Sequence, residues 1–281
     1  MKVTLVYNPK SGSSRTLAQL LTIFNQHDIE ISKSIAIKKG FEAEVTIAIE
    51  TSSHIAVIGG DGTISSVAGL IAGTNTVLIP LPGGTLNHFT KDLGIDQDLE
   101  TAIANLQKAV PRSIDIGTVN NLFFINNSSI GLYPASLHAR RRLEDRLGKW
   151  PAALVGSIRA LVRYRTYDIM INDQHIKTPF LFVGNNDYKF DKFGPEGRTQ
   201  LDGGILSVYV LNSRTRWALV RTFAHALVGK LDTLDDFVAF TTTTLTITSR
   251  HRYISVSHDG EVSRTRTPIT YSLNKAQLTI L

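Results

Sequence analysis

The stretch Ile55–Thr63 constrains the fold of this chain more than any other. Its apolar residues Ile55–Ile58 are typical of a buried parallel strand, and Gly59 and Gly60 then lead into a segment with helical spacing of apolar residues. Glycines at such a turn let backbone N–H groups approach an anion, and the helix N-terminus adds partial positive charge. The carboxylate of Asp61 in this turn is explained if a divalent cation bridges it to a phosphate. It is also explained if a hydroxyl must lose its proton nearby. A tight turn capped by Asp61 explains the same residues.

The composition excludes several classes of protein. The 281 residues include no cysteine, which excludes disulfide scaffolds, thiol catalysis and cysteine-ligated metals. No signal peptide is visible, and the longest uncharged run, residues 62–90, is broken by glycine and proline and does not fit a spanning helix. We therefore expect a soluble, cytoplasmic protein, and the chain length favours two domains.

Strands and helices alternate in the first part of the chain, up to about residue 110. Three successive predicted strands end in small polar loops, at residues 8–14, 59–63 and 82–87. Because ligands bind beyond the carboxyl ends of the strands in open α/β sheets, these loops should converge on one site. The NAD fingerprint G-x-G-x-x-G fails because Ser65 stands at its third glycine. The pattern predicts a doubly wound parallel sheet that binds a nucleotide phosphate and a metal.

The character of the sequence changes after Asp115. Short apolar strands joined by polar turns predict a mainly antiparallel, β-sandwich-like domain, interrupted by one helical region near residues 137–163. We expect an α/β domain over residues 1–117 and a β-rich domain over residues 118–276.

Basic residues are concentrated between residues 138 and 165, next to large apolar residues such as Trp150 and Leu154. Such a segment suits an anionic membrane surface, and a solvated helix with its apolar side toward the core explains it equally. Nucleic acid is not an expected partner, because stacking aromatic residues are not interleaved with the charges.

Six short motifs occur in an order that resembles one family. They are Asn8-Pro9-x-Ser11-Gly12, Gly59-Gly60-Asp61-Gly62-Thr63, Gly84-Thr85-Leu86-Asn87, residues 126–133, residues 183–186 and Asp259-Gly260-Glu261. This set resembles the diacylglycerol kinase catalytic domain family, which includes sphingosine and ceramide kinases and bacterial lipid kinases. The resemblance implies a nucleotide-binding α/β domain, a β-sandwich-like domain, and a site in the cleft between them. It also implies that the last strand, near residues 277–281, returns to the first domain.

The resemblance implies roles for individual residues. ATP phosphates would lie on the loop Gly59–Thr63, and Asp61 would hold Mg²⁺, with help from Asp115 through water. The nucleotide site would also be lined by Asn8, Ser11, Gly12, Thr85 and Asn87. Asp259 and Glu261 would accept the proton of the lipid hydroxyl, and on a single strand the two side chains would point the same way. A hairpin turn over residues 259–261 is the alternative.

Two positions depart from the family pattern. His88 stands where many members have an aspartate, which removes one carboxylate from the metal network. Gly203 stands at the second aspartate of the family's Leu-Asp-Asp-Gly turn, the ligand of a structural Mg²⁺, so that this ligand is missing here.

The sequence therefore predicts an ATP-dependent lipid kinase that transfers the γ-phosphate to a hydroxyl of diacylglycerol or a similar lipid. Its expected partners are ATP, Mg²⁺ and a lipid at the inner face of the membrane, and a homodimer is left open. One alternative is an NAD-kinase-like small-molecule kinase, since that fold also uses a Gly-Gly-Asp-Gly loop. Another is a non-catalytic regulator that binds nucleotide or lipid.

Overall fold

The computed structural model describes residues 1–9, 11, 15–131, 166–171, 174–191, 194–212 and 237–281. Gly12, the helical region predicted at 137–163 and the basic segment at 138–165 lie outside the described residues. The chain divides into two compact units, one of residues 1–116 and 274–281 and one of residues 117–273. Within the described ranges, no helix has the length and apolar character needed to cross a membrane.

The first unit alternates strands and helices. Its elements are β1 (Lys2–Tyr7), α1 (Leu17–Gln26), β2 (Glu30–Ala36), α2 (Phe41–Thr51), β3 (His54–Gly59), α3 (Asp61–Ile71), β4 (Val77–Pro82), α4 (His88–Asp92) and α5 (Leu99–Asn105). A single 3₁₀ turn, Leu106–Lys108, follows α5, and β5 (Arg112–Val119) leads into the second unit.

Local capping explains where two of these helices begin. Thr16 precedes α1 and forms a capping box with Gln19, which satisfies two backbone groups of the first turn. Asp98 precedes α5, and its carboxylate accepts hydrogen bonds from the backbone N–H and the hydroxyl of Thr101, both at 2.9 Å. These hydrogen bonds lower the pKa of Asp98 from its ordinary value.

Parallel strands of the first unit pair in the order β2-β1-β3-β4. Alternate strand residues, among them Leu5, Ala56 and Ile79, pack in one buried cluster with apolar residues of α1 and α5. On the other side of the sheet, α3 packs against β3 and β4, and α2 packs against α3. The predicted doubly wound parallel sheet is thus confirmed.

The second unit is built from antiparallel strands. Its elements are β6 (Leu122–Phe124), β7 (Asn127–Gly131), β8 (Tyr167–Ile171), β9 (Gln174–Thr178), β10 (Phe180–Asn185), β11 (Tyr188–Asp191), β12 (Gly194–Arg198), β13 (Leu206–Leu211), β14 (Phe237–Thr242), β15 (Thr244–Ser249), β16 (Tyr253–His258), β17 (Glu261–Arg266) and β18 (Ile269–Ile280).

Two sheets enclose the core of this unit. One sheet has the order β14-β13-β10-β7-β16-β17, and in the other β15 lies between β18 and β8, with β9 beyond β8. Apolar residues of both sheets form one buried cluster, for example Leu181 and Val256 from the first and Leu245 and Tyr271 from the second. The predicted β-rich, mainly antiparallel domain is confirmed.

The last strand runs from the second unit into the first. Near its start, Tyr271 pairs with Leu245 of β15, and near its end Ile280 pairs in parallel with Leu78 of β4. The strand is therefore longer than the segment 277–281 predicted from the sequence.

Candidate functional site

The glycine turn after β3 leads directly into the helix that follows. Gly59 ends β3, Gly60 is the N-cap of α3, and Asp61 is the first helical residue. A side chain at Gly59 would place its Cβ 2.6 Å from the Cβ of Thr63, so only glycine leaves room for that threonine. The turn is tight because the helix begins directly at the end of the strand.

The second glycine turn packs directly on the first. The N–H of Gly83 donates to the carbonyl of Gly59 at 3.0 Å. A Cβ on Gly84 would lie 2.5 Å from the Cα of Gly60, closer than side chains approach. Glycines at these positions therefore let two backbone turns meet at the carboxyl ends of β3 and β4.

The first polar loop also joins this site. The N–H of Asn8 donates to the carbonyl of Ile58 at 3.1 Å, and its side-chain amide lies 3.5 Å from the Thr63 hydroxyl. Ser11 turns back on this loop, with its hydroxyl donating to the Asn8 carbonyl at 3.0 Å. The structure thus brings the three predicted loops together, within the part of the first loop that it describes.

Asp61 bridges the first glycine turn to α4. Its two carboxylate oxygens accept hydrogen bonds from the backbone N–H groups of His88 at 3.1 Å and Phe89 at 2.8 Å. Asp61 therefore caps the start of α4, although it is itself the first residue of α3. Each carboxylate oxygen keeps a further lone pair, so this side chain still fits a hard cation such as Mg²⁺.

Asn87 and Thr85 have different surroundings although both were predicted to line the nucleotide site. Asn87 is buried and has a left-handed backbone, and its side-chain oxygen accepts a hydrogen bond from the N–H of Gly84 at 2.9 Å. Thr85 is exposed. Asn87 therefore fixes the shape of the second glycine turn, and Thr85 is accessible to a ligand.

Gly62 offers open backbone on the first turn of α3. A Cβ at this position would meet no atom within 4 Å. An N–H group in the first turn of a helix has no carbonyl partner one turn earlier, so such an open position suits the approach of a phosphate oxygen.

Asp115, the second predicted metal residue, lies in β5 and is 3% exposed. One of its carboxylate oxygens accepts a hydrogen bond from the N–H of Ala276 at 2.9 Å, which ties β5 to the last strand. Among the described residues, no three Asp, Glu or His side chains form a metal-binding group. Mg²⁺ is commonly held by one or two carboxylates together with substrate phosphates, so Asp61 remains a suitable ligand.

In the second unit, Asp259 contacts the backbone of the segment 125–127. Its carboxylate accepts hydrogen bonds from the N–H groups of Ile125 at 2.7 Å, Asn126 at 2.8 Å and Asn127 at 3.0 Å. Its own N–H donates to the carbonyl of Asn127 at 2.9 Å. Three backbone donors satisfy much of this carboxylate, which therefore shapes the segment before β7.

Glu261 differs from Asp259 although the two residues are close in sequence. Asp259 and Gly260 form the turn between β16 and β17, both with positive φ, and the exposed Glu261 opens β17 opposite His258. The expectation that both carboxylates share one strand and point the same way is wrong. A two-residue hairpin turn of type I′ requires φ > 0 at both central residues, and an aspartate followed by glycine meets that demand.

A buried arginine completes this region and was missed by sequence reasoning. The guanidinium of Arg198 donates to the carbonyls of Ile125 and Asn185 and to the side-chain oxygen of Asn126. It also lies 5.2 Å from the centre of the Tyr188 ring. The asparagines belong to motifs visible in the sequence, but nothing near Arg198 in the chain indicates that it is buried.

The turn at residues 201–204 does not fit the structural metal that the resemblance implies. The side-chain oxygen of Asn186 accepts a hydrogen bond from the N–H of Gly204 at 3.1 Å. A Cβ at Gly203 would lie 3.1 Å from the same oxygen, so an aspartate there would crowd Asn186. Asp202 is exposed. A protein hydrogen bond holds this turn, and the carboxylate of the family pattern is absent.

Comparison with known proteins identifies the family. The sequence profile of the diacylglycerol kinase catalytic domain matches residues 2–119. Residues 2–119 are therefore similar to the catalytic domain of diacylglycerol kinases. The family predicted from the motifs, and with it the prediction of a lipid kinase enzyme, is confirmed.

Relatives extend the similarity beyond this domain. A diacylglycerol kinase of Bacillus subtilis (strain 168) is 29% identical over 243 residues, which are 82% of this chain and 80% of the relative. A diacylglycerol kinase of Staphylococcus aureus (strain Newman) is 26% identical over 226 residues, which are 75% of this chain and 70% of the relative.

A solved structure shares the fold. The crystal structure of a diacylglycerol kinase from Bacillus anthracis (strain Sterne) superimposes with a TM-score of 0.71. The alignment covers 99% of this chain and 96% of the other, at 21% sequence identity. At this identity the match establishes the architecture of the diacylglycerol kinase fold and nothing further about chemistry.

Proposed function

We propose that this lipid kinase transfers the γ-phosphate of ATP to a hydroxyl of diacylglycerol or a similar lipid. The observation that carries the proposal is the contact of the two glycine turns, Gly59–Gly60 with Gly83–Gly84, beside Asp61. Such packed turns at the start of a helix leave backbone donors available for phosphate oxygens. The relatives named diacylglycerol kinase support the choice of lipid.

In this proposal the residues of the first unit bind and orient the nucleotide. Phosphates lie along the open backbone at Gly62, and Thr85 contacts the nucleotide from the second turn. Asn8, Ser11 and Thr63 position the first turn, and Asn87 fixes the second. Asp61 would hold Mg²⁺, with Asp115 assisting through water, and the bound metal would neutralise charge on the phosphate oxygens.

Glu261 is the proposed base for the lipid hydroxyl. It is exposed, whereas Asp259 is occupied by three backbone N–H groups. An alcohol attacks slowly unless its proton is accepted as the new bond forms, so an exposed carboxylate suits this role. Asp259 then acts as a positioning residue that fixes the turn from which Glu261 projects.

The lipid substrate implies action at the inner face of the membrane by a cytoplasmic protein in peripheral contact. To test the proposal, the protein is incubated with labelled ATP, Mg²⁺ and a total lipid extract, and the labelled product is identified. We expect the label in a phosphorylated lipid whose unphosphorylated form has a free hydroxyl group. Label in a soluble nucleotide would favour the NAD-kinase-like alternative, and absence of transfer despite nucleotide binding would favour a regulator.

A further inference from the structure

One end of the β16–β17 hairpin carries arginines around an exposed tyrosine. The guanidinium centres of Arg252 and Arg264 lie 5.7 Å and 5.1 Å from the centre of the Tyr253 ring, within the range of cation–π attraction. Tyr253 is 43% exposed, and the neighbouring Arg250 and Arg266 are exposed as well. We call these five residues the arginine face.

Strand register places much of this face on one side of the hairpin. Tyr253 pairs with Arg266, and Ser255 pairs with Arg264. Residues directly opposite each other in an antiparallel pair project from the same side of the sheet. Ile254, which alternates with them, is buried in the core of the second unit. Tyr253 and the two arginines therefore point away from that core.

The charge of this face is of a single sign. Residues 237–258 contain no acidic residue, and the two acidic residues of 237–281, Asp259 and Glu261, lie at the turn end of the hairpin. Within the described ranges, no arginine of the face forms an ion pair with a carboxylate. In the described part of the chain, therefore, no carboxylate neutralises these cations, and their charge suits an anionic partner.

A simpler explanation is protection of a sheet edge. β17 is the edge strand of its sheet, and edge strands commonly carry charges that prevent pairing with other chains. That function needs neither an exposed aromatic ring nor arginines stacked on it. The combination of a half-exposed tyrosine with guanidinium groups that form no ion pair among the described residues instead fits an anionic partner.

We propose that the arginine face binds the phosphate groups of anionic lipids at a membrane surface. Guanidinium groups bind phosphate oxygens in a bidentate manner, and tyrosine is enriched where apolar and aqueous regions of a membrane meet. The inference adds a docking surface to the proposed function, on which it rests for the location of the lipid substrate. It uses residues outside the basic segment 138–165.

Vesicle binding without ATP tests this surface. The protein is sedimented with vesicles of phosphatidylcholine alone or with about one-third phosphatidylglycerol, a mixture that carries negative surface charge. We expect binding to the anionic vesicles only. Arg252→Gln, Arg264→Gln and Arg266→Gln together should weaken it roughly a hundredfold, and Arg264→Gln alone about fivefold, the effect of one cation near the surface.

A matched control removes the same charge elsewhere. Lys33, Lys39 and Lys108 are exposed lysines of the first unit, and changing all three to glutamine should leave vesicle binding nearly unchanged. Equal loss in the two triple variants, or full binding by the arginine variant, would overturn the proposal. Thermal unfolding verifies that the variants are folded, and the single variant decides the matter if the triple variant is not.

Two further results separate this inference from its alternatives. If the arginine changes weaken binding to single-stranded DNA and leave vesicle binding intact, the face serves a different polyanion and the proposal is wrong. Phosphorylation of a soluble short-chain diacylglycerol by the unaltered protein is measured in parallel. Arginine-dependent vesicle binding without that activity would overturn the proposed function and leave the docking surface supported.

Discussion

Asp259 and Arg198 hold opposite sides of the same residue. The carboxylate of Asp259 accepts a hydrogen bond from the N–H of Ile125 at 2.7 Å, and the guanidinium of Arg198 donates to the carbonyl of Ile125. A negative side chain thus holds this backbone segment at an N–H group, and a positive side chain holds it at a carbonyl. The arrangement explains why an acidic residue in a hairpin turn is needed for the shape of a distant part of the chain.

Asp259→Asn should destabilise the protein. The amide has one acceptor oxygen, and its NH₂ group would face a backbone N–H of residues 125–127, so that a donor meets a donor. Hydrogen bonds to a charged acceptor contribute about 1.5–3 kcal/mol each, and we expect a loss of about 2 kcal/mol in the free energy of unfolding. Urea denaturation measures it. Unchanged stability would contradict this role of Asp259.

Glu261→Gln should separate chemistry from structure. This side chain is exposed, so the variant should unfold within about 0.5 kcal/mol of the unaltered protein. If Glu261 accepts the proton of the lipid hydroxyl, lipid phosphorylation should fall roughly 10²–10⁴-fold while ATP affinity is retained. Lipid turnover and ATP affinity are measured on the same preparation. Normal lipid turnover would show that another residue is the base. A loss of ATP affinity would show that Glu261 belongs to the nucleotide or metal site.

Sequence patterns predicted the fold class well because the signals were local. The run Ile55–Ile58 predicts a buried strand, and the alternation of strands with amphipathic segments predicts the parallel sheet. The order of the short motifs along the chain indicates the family. The short helix α4 was not predicted, since its five residues follow an asparagine with a left-handed backbone and are capped by Asp61, which is distant in the sequence. Such a contact depends on tertiary packing.

The candidate site shows the same division. The convergence of three loops follows from a general property of parallel sheets, and the structure bears it out in the described residues. The partners of each carboxylate do not follow from sequence. Asp259 could as well have shared a strand face with Glu261, and only the register of β16 with β17 places it in the turn. Arg198 carries no local signal of burial.

Gly62→Ala should weaken ATP binding without harming the fold. An added methyl group meets no protein atom, and alanine in a helix is more stable than glycine by up to about 1 kcal/mol. The methyl group would occupy space that a phosphate needs, so we expect at least a tenfold, that is about 1.4 kcal/mol, loss of ATP affinity. Isothermal titration calorimetry measures it.

Two further variants serve as controls for Gly62→Ala. Ser66→Ala removes a hydroxyl that donates to the carbonyl of Gly62 in the same helix, and it should leave ATP affinity unchanged. Gly84→Ala should instead unfold at a lower temperature, because its Cβ would lie 2.5 Å from the Cα of Gly60. Normal ATP affinity in Gly62→Ala would show that the phosphates lie away from this turn.

Asp61→Asn should impair both the local structure and the response to Mg²⁺. An asparagine can accept a hydrogen bond from only one of the N–H groups of His88 and Phe89, so the start of α4 loses about 1–2 kcal/mol of stabilisation. The lost charge should also leave phosphoryl transfer low at saturating Mg²⁺. Thr90→Val is the matched control, since it removes the hydrogen bonds of the Thr90 hydroxyl with the Asn87 carbonyl and the Gln97 side chain and keeps the Asp61 carboxylate. If Thr90→Val reduces activity equally, α4 alone explains the effect.

Tyr271→Phe should change how stability depends on alkaline pH. Burial raises the pKa of Tyr271, more than the hydrogen bond with Ser128 lowers it. The unfolded chain therefore loses the phenolic proton near pH 10 while the folded protein keeps it, and this residue lowers the free energy of unfolding by about 1.4 kcal/mol per pH unit above pH 10. Phenylalanine removes that dependence.

At neutral pH the same variant should be less stable by about 1 kcal/mol. The Ser128 hydroxyl donates to the carbonyl of Ser257, so the Tyr271 hydroxyl donates to Ser128, and phenylalanine cannot replace that bond. Urea denaturation at about pH 8 and about pH 11 should therefore show a deficit that shrinks or reverses as the pH rises. Tyr253→Phe alters a tyrosine that is 43% exposed and should leave the free energy of unfolding at about pH 8 nearly unchanged. A deficit of Tyr271→Phe that stays constant with pH would mean that Tyr271 ionises equally in the folded and unfolded states.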